Sequence, residues 1–191
     1  MDNTLLALLT IGTQIGAVVL VIAFGLNRKG HFVRFVADYG VALACCIAAA
    51  ATGLSLFYSE ILGFEPCTLC WVQRIFLYPQ VIMLGIALWK SDHRVSDYSL
   101  GLSIPGALVA FYHYYGQMFN TSALPCKTAE AISPCAQRFV LEFGYVTIPM
   151  MALTTFMVLI ALMCIHKLEH DGTHSGTLSS RPRALDRPER S

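Results

Sequence analysis

Two close pairs of cysteines are the residues of this sequence best suited to carry chemistry. Cys67 and Cys70 form a C-x-x-C motif directly after Pro66, and Cys126 and Cys135 each follow a proline. The C-x-x-C spacing occurs both in thiol–disulfide exchange sites and in zinc sites, so the motif alone leaves both chemistries open. A disulfide between Cys126 and Cys135 would either staple its loop or exchange with other thiols, and exposed disulfides tend to exchange.

The C-x-x-C motif stands at the beginning of an apolar stretch that is predicted to be helical. A proline suits the first turn of a helix, and thiols in that turn experience the positive end of the helix dipole, which stabilises thiolates. Arg74 follows Cys70 by four residues and therefore lies on the same helix face one turn deeper. A charge buried in lipid is costly, so we expect Arg74 to face the bundle interior and to have a polar or anionic partner. The alternative is an arginine that snorkels to the outer headgroups.

Long apolar runs are the elements that position these residues. Charged residues make up 13% of the chain and apolar residues 55%, whereas soluble domains carry about 25% charged residues. Since lipid offers the backbone no hydrogen-bond partner, runs of this kind must be helical. The sequence predicts an all-α membrane protein, a four-helix transmembrane bundle with one additional N-terminal transmembrane helix. The five predicted spans cover roughly residues 4–26, 36–58, 67–89, 99–119 and 145–166.

The predicted spans divide the chain into three parts. Residues 1–35 are expected to form the extra N-terminal transmembrane helix and a cytoplasmic loop. Residues 36–166 are expected to form the redox bundle. The polar segment 167–191 is expected to be a disordered cytoplasmic tail.

The distribution of lysine and arginine predicts the orientation. Ten of these residues lie in the segments 27–35 and 90–98 and after residue 166, whereas only Lys127 and Arg138 lie between the fourth and fifth spans. Because lysine and arginine concentrate in cytoplasmic loops, the N-terminus is expected outside and the C-terminus in the cytoplasm. Both cysteine pairs then face the outside.

One string of residues resembles a known family. The residues Cys67-Thr-Leu-Cys70-Trp-Val-Gln73-Arg74, followed by Tyr-Pro, are similar to the signature of the DsbB family of disulfide-generating quinone reductases, and within it to the short-loop, BdbC-like branch. The stretches 111–115 and 143–150 are similar too, and the resemblance covers roughly residues 36–166. The chain departs from the family in its extra first helix and in the short loop that holds the second cysteine pair.

The resemblance implies a relay in a bacterial inner membrane. A reduced, DsbA-like thioredoxin-fold partner would attack the Cys126–Cys135 disulfide and form a mixed disulfide with Cys126. Cys135 would then attack Cys67 and release Cys70 as a thiolate beside a quinone, either ubiquinone or menaquinone. The sequence contains neither a Gly-rich dinucleotide fingerprint nor a C-x-x-C-H haem motif, which favours a lipid-soluble acceptor. The direction of electron flow is likewise implied by the resemblance.

Three further residues are expected at the quinone by the same resemblance. They are Arg74, His113 and Gln73. For His113 the alternative is an interfacial position in an aromatic belt with the neighbouring tyrosines, and for Gln73 it is a hydrogen bond between helices. Cys45, Cys46 and Cys164 are expected to be inert packing residues inside apolar helices.

Two other classes of protein fit part of the pattern. One is a zinc-binding membrane module that uses Cys67, Cys70, Cys126 and Cys135 as a four-thiolate site. The other is a vitamin K epoxide reductase-like quinone enzyme, although its loop cysteines precede the C-x-x-C motif, whereas here the second pair follows it.

Overall fold

The regular elements in the described part of the chain are helices. A computed structural model describes residues 11–16, 19, 22, 24, 30–63, 66–92, 94–119 and 147–179. Residues 11–16 are helical and are called α1. The longer helices are α2 (His31–Leu56), α3 (Thr68–Lys90), α4 (Val95–Met118) and α5 (Ile148–Ser179), and a π-helical turn, Phe57–Ile61, continues α2. The all-α prediction is therefore confirmed for the part of the chain that the structure describes.

Within the described residues, three helices are long and apolar enough to cross a membrane, which supports the prediction of a membrane protein. They cover Arg34–Ile61, Thr68–Lys90 and Ile148–His170. Helix α4 has 24 residues, enough for a span at ~1.5 Å per residue. It is less apolar because its buried residues include three serines, His113 and Gln117. The count of five spans, their orientation and the division into three parts stay predictions.

Helices α2 to α5 pack as a bundle in which each helix lies against two neighbours. Helix α2 contacts α3 and α5, and α4 contacts the same two helices. The core combines large side chains, such as Leu84 and Phe156, with the small side chains of Ala48 and Ala110, all fully buried. Small residues let transmembrane helices approach closely, and the resulting van der Waals packing holds the helices together in lipid.

Polar side chains link the helices at fully or partly buried positions. The amide oxygen of Gln80 in α3 accepts hydrogen bonds from the hydroxyls of Ser99 at 2.8 Å and Ser103 at 3.2 Å, both in α4. The amide of Gln14 in α1 donates to the hydroxyl of Thr154 in α5 at 3.0 Å. Since amide and hydroxyl groups find no hydrogen-bond partner in lipid, these bonds fix which helix faces meet.

Several helix ends differ from the predicted boundaries. Helix α2 begins at His31 and α4 at Val95, each a few residues before the predicted start. Helix α5 continues to Ser179, beyond the predicted end at residue 166 and into the segment predicted to be a disordered tail. No proline lies between Pro149 and Pro182, so a helix nucleated by its buried part propagates without a break. The segment 180–191 lies outside the described residues.

The contact between α4 and α5 at Gly106 gives a stability prediction. A Cβ atom at Gly106 would lie 2.5 Å from Cε1 of Phe156, whose ring is fully buried. We expect Gly106→Ala to destabilise the bundle by about 1–3 kcal/mol. Gly101 on the same helix has nothing within 4 Å, so Gly101→Ala should be neutral or slightly stabilising. Thermal unfolding in detergent measures both variants, and equal melting temperatures would contradict the close packing.

Candidate functional site

The C-x-x-C motif lies where the chain enters α3. Cys67 is the N-cap of this helix, with φ −70° and ψ 171°, and its Sγ accepts a hydrogen bond from the backbone N–H of Cys70 at 3.4 Å. Both cysteines are free thiols, and their sulfurs are 3.0 Å apart. A disulfide needs a separation of about 2.05 Å. An approach of about 1 Å would therefore bring the pair from the reduced to the bonded distance.

Helix α4 supplies the third side chain of the site. His113 is only 1% exposed, and its Nε2 lies 3.8 Å from Sγ of Cys67. The side-chain nitrogen of Gln73, on α3, lies 3.1 Å from Nδ1 of His113, and that of Gln117 lies 3.5 Å from Nε2. The imidazole of His113 is therefore buried inside the bundle against the first cysteine.

Cys67 directly precedes the span Thr68–Lys90. In the reduced pair, its thiolate form is better stabilised than that of Cys70. Hydrogen bonding from the Cys70 thiol, together with the hydrogen bond and charge of His113, lowers the pKa of Cys67 to about 4, although burial opposes this shift. The hydrogen bond from the Cys70 backbone N–H, at the helix N-terminus, also lowers the pKa of Cys67. In the reduced state the negative charge therefore belongs on Cys67.

Arg74 has a partner on a neighbouring helix. Its Nε donates to the hydroxyl of Ser55 in α2 at 3.1 Å, and its Nη2 donates to the Ser55 carbonyl at 3.0 Å. The guanidinium carbon lies 5.2 Å from the centre of the Trp71 ring and 6.0 Å from that of Tyr78. The expectation of a polar partner is confirmed, but in this reduced structure that partner is Ser55 on α2.

The remaining cysteines fall into two groups. Cys126 and Cys135 lie outside the described residues, so their pairing and position stay predictions. Cys45 and Cys164 are half-buried in α2 and α5, and Cys46 is exposed on α2. These three lie outside the cluster formed by Cys67, Cys70 and His113.

Two residues of the site were not singled out from the sequence. Gln117 lies four residues after His113 on α4, and this spacing places both on one helix face. Ser55 carries no sequence signal, because its contact with Arg74 depends on how α2 and α3 pack. Gln73 was expected at the quinone or between helices, and its hydrogen bond to His113 links α3 to α4.

A helical membrane bundle with a reduced C-x-x-C pair and a buried histidine at one end defines a membrane-embedded thiol–disulfide redox protein. Comparison with known proteins agrees with this class. The family model described as "Disulfide bond formation protein DsbB" matches residues 38–166. The chain belongs to the DsbB family, as its signature string predicted.

Curated relatives place the chain near the disulfide formation proteins C. It is 38% identical over 143 residues to disulfide bond formation protein C of Bacillus subtilis, covering 74% of this chain and 97% of the relative. It is 42% identical over 125 residues to probable disulfide formation protein C 1 of Bacillus cereus, covering 64% and 87% of the two chains. No solved structure matches the chain.

The contact between His113 and Cys67 gives a prediction for thiol reactivity. Iodoacetamide reacts with the thiolate form of cysteine. In the reduced protein, the rate of Cys67 alkylation should therefore rise with pH around its pKa of about 4. Since His113 lowers this pKa, His113→Ala should move the midpoint of the pH profile upward. Mass spectrometry of peptides labelled at a series of pH values gives the midpoint. Cys46 in the same samples is the internal control, and an unmoved Cys67 midpoint would contradict the contact.

Proposed function

We propose that the chain is a thiol:quinone oxidoreductase, a disulfide-generating quinone reductase. It would reoxidise a DsbA-like thioredoxin-fold protein outside the cytoplasmic membrane and pass the electrons to a membrane quinone. The observation that carries this proposal is the reduced Cys67–Cys70 pair at the N-terminus of α3, with His113 3.8 Å from Cys67. Membership of the DsbB family supports this activity over the vitamin K epoxide reductase-like alternative.

The proposed relay moves one electron pair through a series of thiol–disulfide exchanges. A thiolate of the partner attacks the Cys126–Cys135 disulfide, so that a sulfur bond to Cys126 forms and Cys135 is released. Cys135 then attacks Cys67, and the bond between Cys67 and Cys70 breaks with its electrons on Cys70. When the second partner thiol displaces Cys126, the partner leaves as a disulfide. Cys126 then attacks Cys135, which restores the Cys126–Cys135 disulfide and releases Cys67 as the second thiol of the reduced Cys67–Cys70 pair.

The first turn of α3 supports the second exchange. Once Cys67 is bonded to Cys135, it no longer carries the negative charge that it holds in the reduced pair. Cys70 then becomes the remaining thiol of the turn, close to the positive end of the α3 dipole and one turn from the Arg74 guanidinium. Both groups favour negative charge on the Cys70 sulfur.

The residues beside Cys70 fit a quinone, either ubiquinone or menaquinone. Arg74 offers a cation with donors for a carbonyl oxygen, and Trp71 on the same turn is 54% exposed, as an aromatic ring in contact with lipid would be. A bound quinone supplies an acceptor for two electrons and two protons. Arg74 and Gln73 would hold it, and His113 would hold a proton close to the sulfurs.

Anaerobic turnover tests the proposed function. The purified chain is mixed with a reduced thioredoxin-fold dithiol and with ubiquinone or menaquinone, and quinone absorbance is followed. We expect quinone reduction in proportion to dithiol oxidised. Failure with both quinones, in a protein whose Cys126–Cys135 pair still exchanges with the dithiol, would overturn the quinone assignment.

A matched variant separates the relay from the other cysteines. Cys45, Cys46 and Cys164 replaced together by alanine should keep quinone reduction within a few-fold of normal, because all three lie outside the cluster of Cys67, Cys70 and His113. Loss of turnover in a variant that still melts like the parent would place one of the three in the relay.

A further inference from the structure

Three metal-ligating atoms converge at the N-terminus of α3. One ligand atom from each of Cys67, Cys70 and His113 lies within 4.8 Å of the others. Cys67 and His113 are buried, and Cys70 is half-buried. Thiolate sulfur and imidazole nitrogen are the ligands that zinc and similar soft or borderline metal ions prefer.

Two of the three distances between these atoms can be compared with those of a tetrahedral metal site. With Zn–S bonds of about 2.3 Å and Zn–N bonds of about 2.0–2.1 Å, a tetrahedron sets sulfurs about 3.8 Å apart and sulfur and nitrogen about 3.6 Å apart. The Cys67 sulfur and His113 Nε2 are 3.8 Å apart, and the two sulfurs are 3.0 Å apart. The sulfurs need to separate by about 0.8 Å to reach the tetrahedral spacing.

Gln73 completes the arrangement around the imidazole. A histidine that binds metal through Nε2 carries its proton on Nδ1 and donates it to an oxygen. The Gln73 amide faces Nδ1 at 3.1 Å. A flip of the Gln73 amide by about 180° would place its oxygen against Nδ1 of His113. Such a flip exchanges only the positions of the amide nitrogen and oxygen.

We propose that the reduced protein binds one thiophilic divalent metal ion, such as Zn²⁺, through Cys67, Cys70 and His113. A water molecule or an outside thiolate would take the fourth position. Binding displaces the proton of the Cys70 thiol, and no electron moves. Because the same two sulfurs form the disulfide, metal binding and oxidation exclude each other, so the metal would hold the pair reduced and block turnover.

The proposed site differs from a four-thiolate site and does not depend on the proposed function. It uses two cysteines and one histidine from two helices, whereas the four-thiolate alternative requires Cys126 and Cys135. Metal binding is also measured without quinone or partner. A failure of metal binding would therefore leave the proposed oxidoreductase function standing. A failure of quinone reduction would likewise leave the proposed metal site standing.

Spectroscopic titration with Co²⁺, followed by displacement with Zn²⁺, tests the proposal on the full-length chain in detergent. The reduced protein should bind one ion per chain and show thiolate-to-cobalt charge-transfer absorption, and the oxidised protein should not. Cys67→Ser and His113→Ala should each weaken binding by more than about tenfold. Cys46→Ser and the double variant Cys126→Ser/Cys135→Ser should bind like the parent.

Several outcomes would overturn the proposal. Cobalt binding that is unchanged in Cys67→Ser would place the metal elsewhere, and binding lost in the Cys126→Ser/Cys135→Ser variant would favour the four-thiolate site. Equal binding by the oxidised protein would exclude the C-x-x-C sulfurs. If His113→Ala fails to fold, as judged by its melting curve, Cys70→Ser takes its place in the comparison.

Discussion

Cys70→Ser is expected to abolish quinone reduction and to limit partner oxidation to a single round. Without the second sulfur, the pair at the N-terminus of α3 cannot form a disulfide, so the relay ends once the Cys126–Cys135 disulfide has been consumed. A dithiol partner should therefore be oxidised to about one equivalent per chain, whereas the parent continues while quinone lasts. The loss in steady-state turnover should exceed about a thousandfold, as for other nucleophile deletions. The measurement is partner oxidation against time at a fixed chain concentration.

The single equivalent of partner oxidised by Cys70→Ser distinguishes the roles of the two cysteine pairs. Cys46→Ser is the matched control, since it removes a sulfur of α2 outside the site, and it should turn over normally. Sustained turnover in Cys70→Ser would show that the Cys67–Cys70 disulfide is not on the route to quinone. A variant without even the first equivalent would show that Cys126 and Cys135 do not react with the partner directly.

Arg74→Ala is expected to raise the apparent quinone KM by about ten- to over a hundredfold. The loss of one charge-assisted contact costs roughly 1.5–3 kcal/mol, which converts to this range of affinities. Turnover should also slow, because the guanidinium stabilises negative charge on Cys70. Exchange between Cys126–Cys135 and the partner should persist. Steady-state kinetics over a quinone concentration series, with partner exchange followed separately, measures the three quantities.

Two further variants distinguish the effect of the Arg74 charge from the effect of its hydrogen bonds to Ser55. Arg74→Lys should rescue only part of the KM, because lysine keeps the charge but lacks the planar fork. Ser55→Ala removes one of the two acceptors of Arg74 and leaves the Ser55 carbonyl, so its KM should change less than that of Arg74→Ala. If Arg74→Ala keeps a normal KM and turnover, Arg74 serves only to join α2 to α3, and the quinone site lies elsewhere.

The sequence predicted the parts of this protein that depend on local pattern. Apolar runs and the C-x-x-C string predicted an all-helical membrane chain and its family, and the spacing of Cys70 and Arg74 predicted that they share a helix. These features are read within a few turns of one helix, where side-chain direction follows from helix geometry.

Contacts between helices could not be predicted in the same way. His113 stands among tyrosines, a composition typical of a membrane interface, and only the packing of α4 against α3 shows that its imidazole faces Cys67. Similarly, Ser55 becomes the partner of Arg74 because α2 ends beside the beginning of α3. Helix rotation and register decide both contacts, and apolar composition alone leaves them open.

The N-cap position of Cys67 makes one atom responsible for both the shape and the oxidising strength of the site. In the reduced pair its sulfur accepts the Cys70 backbone N–H and so completes the first turn of α3. Since these contacts favour the sulfur as an anion, they stabilise the dithiol more than the disulfide, and a stabilised reduced form makes a disulfide a stronger oxidant. In the proposed relay, the end of the helix would thus strengthen the thermodynamic driving force with which the pair draws electrons from an incoming thiol.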